Sequence, residues 1–230
     1  MQDSVVFAET DDFWVFDKPA GLSVNDSEAG PGFISIQKQE LGVRHIHPVH
    51  RLDAETSGLL LAAKNSAANK VLSKAFQERT MEKVYLAMIR ARQGAKLKRK
   101  QGWVIGDMKP ARNGAWMLLR TKENPAVTYF ETASLGERYR LAILSPKTGK
   151  THQLRVALKS NGTPIVGDRR YGGEEADRLY LHAYQLGFHF NGQRYVYRVA
   201  PGSGDKFKPQ LLDSLDERVD TFLSALPSYA

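Results

Sequence analysis

His50-Arg51-Leu52-Asp53-Ala54-Glu55-Thr56-Ser57-Gly58 runs without a break into Leu59-Leu60-Leu61-Ala62-Ala63. The first nine residues place one carboxylate, Asp53, between a basic pair and a tight Thr-Ser-Gly turn. The next five form a short, continuous apolar run, the pattern of a buried strand. A charged loop that feeds directly into a buried strand is a common way to hold a reactive side chain on a rigid element.

Outward from that stretch, Phe13 to Asp17 reads as a strand stopped by Lys18-Pro19, and Glu28 to Gly32 reads as a loop. A short helix is predicted from Ile34 to Leu41. Ser66 reads as the N-cap of a helix to about Arg79, with Ala68, Val71, Leu72, Ala75 and Phe76 on one face. Lys83 to Ile89 is apolar on both faces and is expected inside a sheet. Val127 to Glu131, Arg140 to Leu144, Leu179 to Ala183 and Tyr195 to Val199 read as further strands. Thr151 starts a helix that Gly162 and Pro164 stop near Asn161, placing His152 and Arg155 on one face. A last helix is expected from Gln210 to Leu226. The strands do not alternate regularly with helices. That favours an α+β fold over a doubly wound one, with a mixed, largely antiparallel sheet and flanking helices.

The 230 residues suffice for one domain or two small lobes, and 42% hydrophobic residues allow a sizeable core. There is no cysteine, which excludes disulfides, thiol nucleophiles and cysteine-ligated zinc and fits a reducing, cytoplasmic setting. No apolar run approaches membrane-spanning length, and the acidic first twelve residues lack the basic region of a secretory signal. Lys plus Arg is 33 against 25 Asp plus Glu, a net charge of +8. Between Arg90 and Arg112 lie eight basic residues and one acid, so this segment carries +7 and the rest of the chain is nearly neutral. One basic arm on a neutral body points to a polyanion, most readily nucleic acid, over a merely solubilising loop. Gly102 and Trp103 among the charges add the means for stacking.

Three chemistries compete for the remaining motifs. Gly149-Lys150-Thr151 resembles the end of a phosphate-binding loop, but Leu144 stands where the first glycine is needed, which argues against a nucleotide cofactor. His45, His47 and His50 precede Asp53, but Pro48 denies them the helical spacing of a zinc site, and no metal is expected. At Asp53 itself, two readings stand. Glu55 would share its face on an extended segment and suit acid–base cleavage of a glycosidic bond. A lone Asp53 beside Arg51 or Arg155 would instead be an ionised nucleophile. A structural Asp–Arg pair at a turn is the plain alternative. Spacing alone does not choose among them.

A wider pattern does. His47 to Leu61 closely resembles the signature of the RluA-type RNA pseudouridine synthases. Lys18-Pro19-Ala20-Gly21-Leu22-Ser23-Val24, Glu82-Lys83-Val84-Tyr85-Leu86-Ala87 and Gly149 to Val156 are similar to further motifs of that family, in the family's order. Gly167-Asp168-Arg169-Arg170-Tyr171-Gly172 and Leu181-His182-Ala183 complete the set. The resemblance implies the pseudouridine synthase fold with a central RNA-binding cleft. It implies a cofactor-free isomerase that turns specific uridines of ribosomal or transfer RNA into pseudouridine. By motif, Asp53 would be the nucleophile, attacking either the base or the sugar carbon. Tyr85 would pack on the uracil, Arg155 would pair with Asp53, and Arg51 would help extrude the base. His50 belongs to the same RNA-facing loop and would hold it. Lys96, Lys98, Arg99 and Lys100 of the basic arm would contact RNA.

The expectation is therefore one catalytic domain over residues 1–230, of one or two lobes, acting as a monomer. Only about 50 residues precede Asp53, too few for the small RNA-binding domain many relatives carry there. Glu123-Asn124-Pro125-Ala126-Val127-Thr128 departs from the family's Gly-Lys-x-Ala-x-Thr and lacks its lysine. The rival from another class is a basic RNA-binding protein without chemistry. The sequence does not say which RNA, or which uridine, is modified.

Overall fold

The computed structural model describes residues 5–90, 98–136, 139–208 and 214–229. Among them the elements follow as β1 (Val6–Glu9), β2 (Phe13–Lys18), α1 (Phe33–Glu40), β3 (His47–Pro48), β4 (Ser57–Ala63), α2 (Ser66–Gln77), β5 (Glu82–Arg90) and β6 (Gln101–Gly106). Then come β7 (Met108–Pro110), β8 (Trp116–Leu118), β9 (Ala126–Ser134), β10 (Tyr139–Pro146), α3 (Gln153–Ser160), β11 (Leu181–Phe190), β12 (Gln193–Arg198) and α4 (Leu215–Ser224). The chain divides into two compact units, residues 1–83 with 182–201, and residues 84–181 with 202–230.

In the first unit β4 is the spine, with every residue from Ser57 to Ala63 buried. It pairs antiparallel with β2 and β3, and parallel with β11 through Ser57–His182 and Gly58–Ala183. β1 extends the sheet beyond β2, and β12 beyond β11, both antiparallel. Alternation sends Phe13, Val15, Leu59, Leu61 and Ala63 into one cluster with Ala68 and Leu72 of α2. Phe16, on the opposite face of β2, meets Phe33 of α1 edge to face at 5.4 Å. The rings of Phe188, Phe190 and Tyr195 stand edge-on to Phe13 at 5.2 to 5.7 Å, so aromatic contacts close the far side of this core.

The second unit is an antiparallel sheet in the order β5-β10-β9-β6, with the ribbon β7–β8 set apart from it. Val219 and Phe222 of α4 are buried, and Phe222 lies 5.8 Å from Tyr129 of β9. The fold is thus α+β, with a parallel pair at β4–β11 and antiparallel pairing in the others described.

Local readings shift at several ends. Asn65, not Ser66, caps α2, because its side-chain oxygen accepts from the Ala68 amide at 2.9 Å. α3 begins at Gln153, and His152 sits before it in the left-handed region at φ 56°, so His152 does not share a helical face with Arg155 as expected. The strands foreseen at Leu179–Ala183 and Tyr195–Val199 are parts of one hairpin turned at Asn191-Gly192, both with positive φ. Residues 209–213 lie outside the described residues, so the first residues expected for the last helix are among them.

Gly58 fixes the parallel register. Its φ is +107°, and a Cβ there would stand 2.3 Å from the Ala183 carbonyl oxygen. Gly58→Ala is expected to lower stability by about 2–4 kcal/mol, the sum of backbone strain and a forced shift of β11. Denaturant unfolding of the two proteins measures it.

Candidate active site

Asp53 is half-buried at the mouth of β4, between exposed Arg51 and exposed Ala54 and Glu55. Its carbonyl accepts from the Thr56 amide at 3.0 Å and closes a turn. The next carbonyl, of Ala54, accepts from the Gly21 amide at 2.8 Å and from the Lys18 ammonium at 3.2 Å. Lys18 is 0% exposed, and its ammonium also donates to the carbonyls of Pro19 and Leu22, both at 2.7 Å. One buried cation thereby ties the end of β2, its following loop and the Asp53 turn together.

The other side of the turn is held by two histidines. His50 accepts the Leu61 amide on Nε2 at 3.0 Å and stacks on Phe76 at 4.5 Å. Burial first, then the Lys83 ammonium, push its imidazole down to about 3, against a hydrogen bond with the Arg51 backbone. It is neutral at physiological pH. His182 Nε2 faces the Val199 carbonyl at 2.8 Å and so carries the proton there. Its Nδ1 then accepts from the Ser57 hydroxyl at 2.8 Å. The Leu181-His182-Ala183 motif is thus the strand that sets Ser57 and Gly58.

In the second unit Tyr85 lies on β5 opposite Leu144 of β10, half-buried where a core aromatic would be fully covered. Arg155 is buried on α3, not an exposed helix arginine. Its Nε and one Nη donate to the two oxygens of Asp168, each at 2.8 Å, a bidentate pair inside the protein. Tyr171 lies against the guanidinium at 5.2 Å, and its amide donates to Asp168. The start of α3 is pinned by Gln153, whose side-chain oxygen accepts from Thr148 and from the Lys150 amide, at 2.7 and 2.9 Å. Its amide nitrogen donates to the Val127 carbonyl and the Thr128 hydroxyl, at 3.0 and 2.9 Å. All four hydrogen-bonding positions of this buried amide are filled.

Rival chemistries lose their geometry. The segment after Asp53 turns at Ala54-Glu55 instead of extending, so Glu55 does not fall on the face of Asp53 by strand alternation. The Lys150 amide is taken by Gln153 and its ammonium donates to Asn124 at 2.8 Å, which leaves no phosphate cradle at Gly149. His45 and His47 stack on one another at 5.9 Å, and among the described residues no three His, Cys, Asp or Glu group as metal ligands would.

The basic arm resolves into distinct parts. Lys96 falls in residues 91–97, outside the described residues. Lys98, Arg99 and Lys100 are exposed. Lys98 donates to the Ser160 carbonyl at the end of α3, at 2.7 Å, where a cation suits the helix terminus. Arg99 donates to the Trp103 carbonyl at 2.9 Å. Trp103 itself belongs to β6, where Tyr129 and Tyr229 flank it at 5.1 and 5.2 Å. It is a half-buried strand residue.

Residues 12–160 match the family model of RNA pseudouridylate synthases. The chain belongs to this family. It is 43% identical over 218 residues to an uncharacterized RNA pseudouridine synthase of Haemophilus influenzae, covering 94% of this chain and 95% of that one. It is 35% identical over 217 residues to the ribosomal large subunit pseudouridine synthase C of Escherichia coli K12, covering 85% of this chain and 65% of that longer protein. The solved human RNA pseudouridylate synthase domain containing 1 superposes with a TM-score of 0.74 at 26% identity, over all of this chain and 98% of that one. The protein is an RluA-type pseudouridine synthase, an isomerase that converts uridine within RNA to pseudouridine.

Within this synthase, motif residues that the sequence alone leaves without a role acquire one. Lys18 clamps the Asp53 turn, Asp168 anchors Arg155, and Gln153 fixes the helix that carries it. Lys18 and Asp168 are legible as motif members, but nothing in the local pattern says that a lysine after a strand is buried.

Asp168→Ala leaves the Arg155 guanidinium buried without its bidentate partner and is expected to cost about 3–5 kcal/mol, read by denaturant unfolding. His50 supplies a second expectation. The unfolded chain binds a proton on this imidazole near 6.5, the folded one only near 3. The stabilisation is complete above pH 6.5 and is lost as pH falls toward 3. His50→Gln, which keeps an acceptor for Leu61, should flatten the fall in thermal midpoint between pH 6.5 and 4.5.

Proposed function

We propose that Asp53 is the nucleophile of this synthase and that Tyr85 and Arg155 act on the same flipped-out uridine. What supports this most is the clamped Asp53 turn: a half-buried carboxylate whose neighbouring backbone is fixed by Lys18, Gly21 and Thr56. A carboxylate held this firmly meets a reacting atom without reorganising. In the reaction Asp53 adds to the base or to the sugar carbon, the bond between uracil N1 and C1′ breaks, C5 bonds to C1′, and the bond to Asp53 is broken again; C5 loses its proton and N1 gains one, so the product is an isomer of the substrate. Tyr85 packs on the uracil beside the departing proton. Arg155, held by Asp168, supplies the cation of the reaction. Arg51, exposed beside Asp53, contacts the RNA and helps hold the base out of its stack, which costs a few kcal/mol. His50 serves from within, neutral and structural. The reaction needs no metal or organic cofactor, because no electrons or groups leave the nucleoside.

The substrate is ribosomal RNA of the large subunit, the RNA for which the Escherichia coli relative is named. The enzyme works as a monomer in the cytoplasm, as a single catalytic domain over residues 1–230. Lys98, Arg99 and Lys100, with Lys96, add phosphate contacts.

Tritium release from 5-tritiated uridine in a large-subunit ribosomal RNA transcript tests the chemistry. The wild type should release tritium, Asp53→Asn should release none above background, and Glu55→Ala should retain most activity. Equal loss in Glu55→Ala would return the chemistry to a carboxylate pair. Replacing Lys96, Lys98, Arg99 and Lys100 by Ala should weaken RNA binding and make its salt dependence shallower, by roughly 0.7 in slope for each phosphate no longer neutralised. A salt slope equal to that of the wild type would assign those residues to solubility and helix capping alone.

A further inference from the structure

Lys150 and Asn124 meet where the sequence departs from its family, and the reaction as described gives neither a task. Glu123-Asn124-Pro125-Ala126-Val127-Thr128 stands where the family pattern reads Gly-Lys-x-Ala-x-Thr, so Asn124 replaces the lysine. The fold returns a lysine to that spot from elsewhere in the chain: the Lys150 ammonium donates to the Asn124 side-chain oxygen at 2.8 Å. Both residues are anchored through their backbones. The Asn124 amide donates to the Asp107 carboxylate at 2.8 Å, and the Lys150 amide donates to Gln153 at 2.9 Å. An ammonium on a flexible stem is thus aimed by a fixed side chain.

Strand register sets where this happens. Tyr85, Leu144 and Phe130 lie abreast on β5, β10 and β9. Pro146 and Thr128 pair two residues further along, about 7 Å at the usual strand rise. Beyond them the Lys147 amide donates to the Val127 carbonyl and the Val127 amide to the Thr148 hydroxyl, both at 2.9 Å. Lys150 and Asn124 therefore stand at the end of the sheet nearer Tyr85, and α3, which carries Arg155, starts three residues after Lys150.

Two acids are close by, and neither pairs with the ammonium. Asp107 receives the amides of Glu123 and Asn124 at 3.0 and 2.8 Å. Of the groups that hold its carboxyl below the ordinary range, the Thr121 hydroxyl does most and Lys150 least. Glu123 is exposed. No carboxylate among the described residues lies within ion-pairing distance of Lys150, and α3 has no acid in its first turn. Gly149 is exposed, and a Cβ on it would meet nothing within 4 Å, so the approach is open. An ammonium has three hydrogens, and Asn124 takes one. The Gly149 loop lacks the several free amides that a nucleotide requires, but a single phosphate of an RNA strand requires only such a cation.

We propose that Lys150, aimed by Asn124, binds a backbone phosphate of the substrate RNA at the Tyr85 end of this sheet. It supplies from the Gly149 loop the cation that the family pattern carries at position 124. The inference rests on the enzyme's action on RNA and not on the roles given to Asp53, Tyr85 and Arg155. A phosphate contact positions the strand without reading its bases, so its loss weakens the ground state and the transition state alike.

The test uses the full-length protein and two readouts. One is fluorescence anisotropy with RNA over a salt series. The other is tritium release from a mixture of unmodified ribosomal and transfer RNA transcripts labelled with 5-tritiated uridine, so that the result does not depend on which RNA is preferred. Lys150→Gln keeps a donor for Asn124 and loses the charge. It should raise KM about fivefold with kcat within about twofold of the wild type. Its slope of log affinity against log salt should be shallower by about 0.7, the value for one phosphate of a single strand. Lys150→Arg should keep the wild-type slope. Lys150→Gln combined with Asn124→Lys moves the charge to the other position and should restore both KM and slope. Wild-type KM and slope in Lys150→Gln would leave Lys150 with a hydrogen bond alone and overturn the phosphate contact. A double variant with the wild-type thermal midpoint that binds as weakly as Lys150→Gln would overturn the exchange of positions. The salt slope is read without turnover, so it decides the contact even if the roles of Asp53, Tyr85 and Arg155 fail.

Discussion

A lysine ammonium taken out of water must recover its hydration from the protein, and an isolated one would cost far more than a domain's whole stability. Lys18 recovers it from the carbonyls of Pro19, Leu22 and Ala54. Those carbonyls belong to two loops that are 36 residues apart in the Lys18–Ala54 contact. Neither loop can move without stranding the charge. The Asp53 turn is rigid for that reason, and β2 and β4, whose register runs from Phe13–Ala63 to Lys18–Gly58, deliver the two loops to the same end of the sheet.

The same logic recurs wherever a functional side chain is held. Gln153 has every hydrogen-bonding position filled, Arg155 lies bidentate on Asp168, and His182 bridges Ser57 and Val199. Each is a buried polar group whose partners lie outside its own helix or strand. Such networks specify one arrangement because a half-satisfied alternative is costly in a low-dielectric interior. The apolar cores make the units stable, and these polar links fix the head of β4 and the start of α3.

The apolar elements are legible in the sequence. β2, β4, β5 and α1 show themselves by continuous or periodic hydrophobicity, and the structure places them within one or two residues of the reading. β6 is hidden because the charges before and after it dominate the composition of the segment, although Trp103-Val104-Ile105 is strand-forming in itself. Asn191-Gly192 is a two-residue hairpin signal, and it joins into one hairpin what strand propensity alone reads as separate short strands. The pairing of Lys18 with the Ala54 carbonyl and of Arg155 with Asp168 is not legible in local pattern. They depend on which carbonyls and carboxylates the tertiary fold brings near, and no local periodicity records that. Motif order supplies the reaction, while the structure supplies the means by which each motif holds its neighbour.

The bond between Ser57 and His182 spans 125 residues of sequence. Synthesis at about 5–20 residues per second separates those two residues by roughly 6–25 s. Residues 84–181 of the second unit emerge in that interval, before the strand that locks the first unit exists. The nascent chain therefore carries β4, an apolar strand with its parallel neighbour still unmade, through about half of its translation. Lys18 and Gly21 are made before the Asp53 turn they hold, whereas Ser57 and Gly58 at the head of β4 gain their parallel neighbour only when the strand bearing His182 and Ala183 arrives.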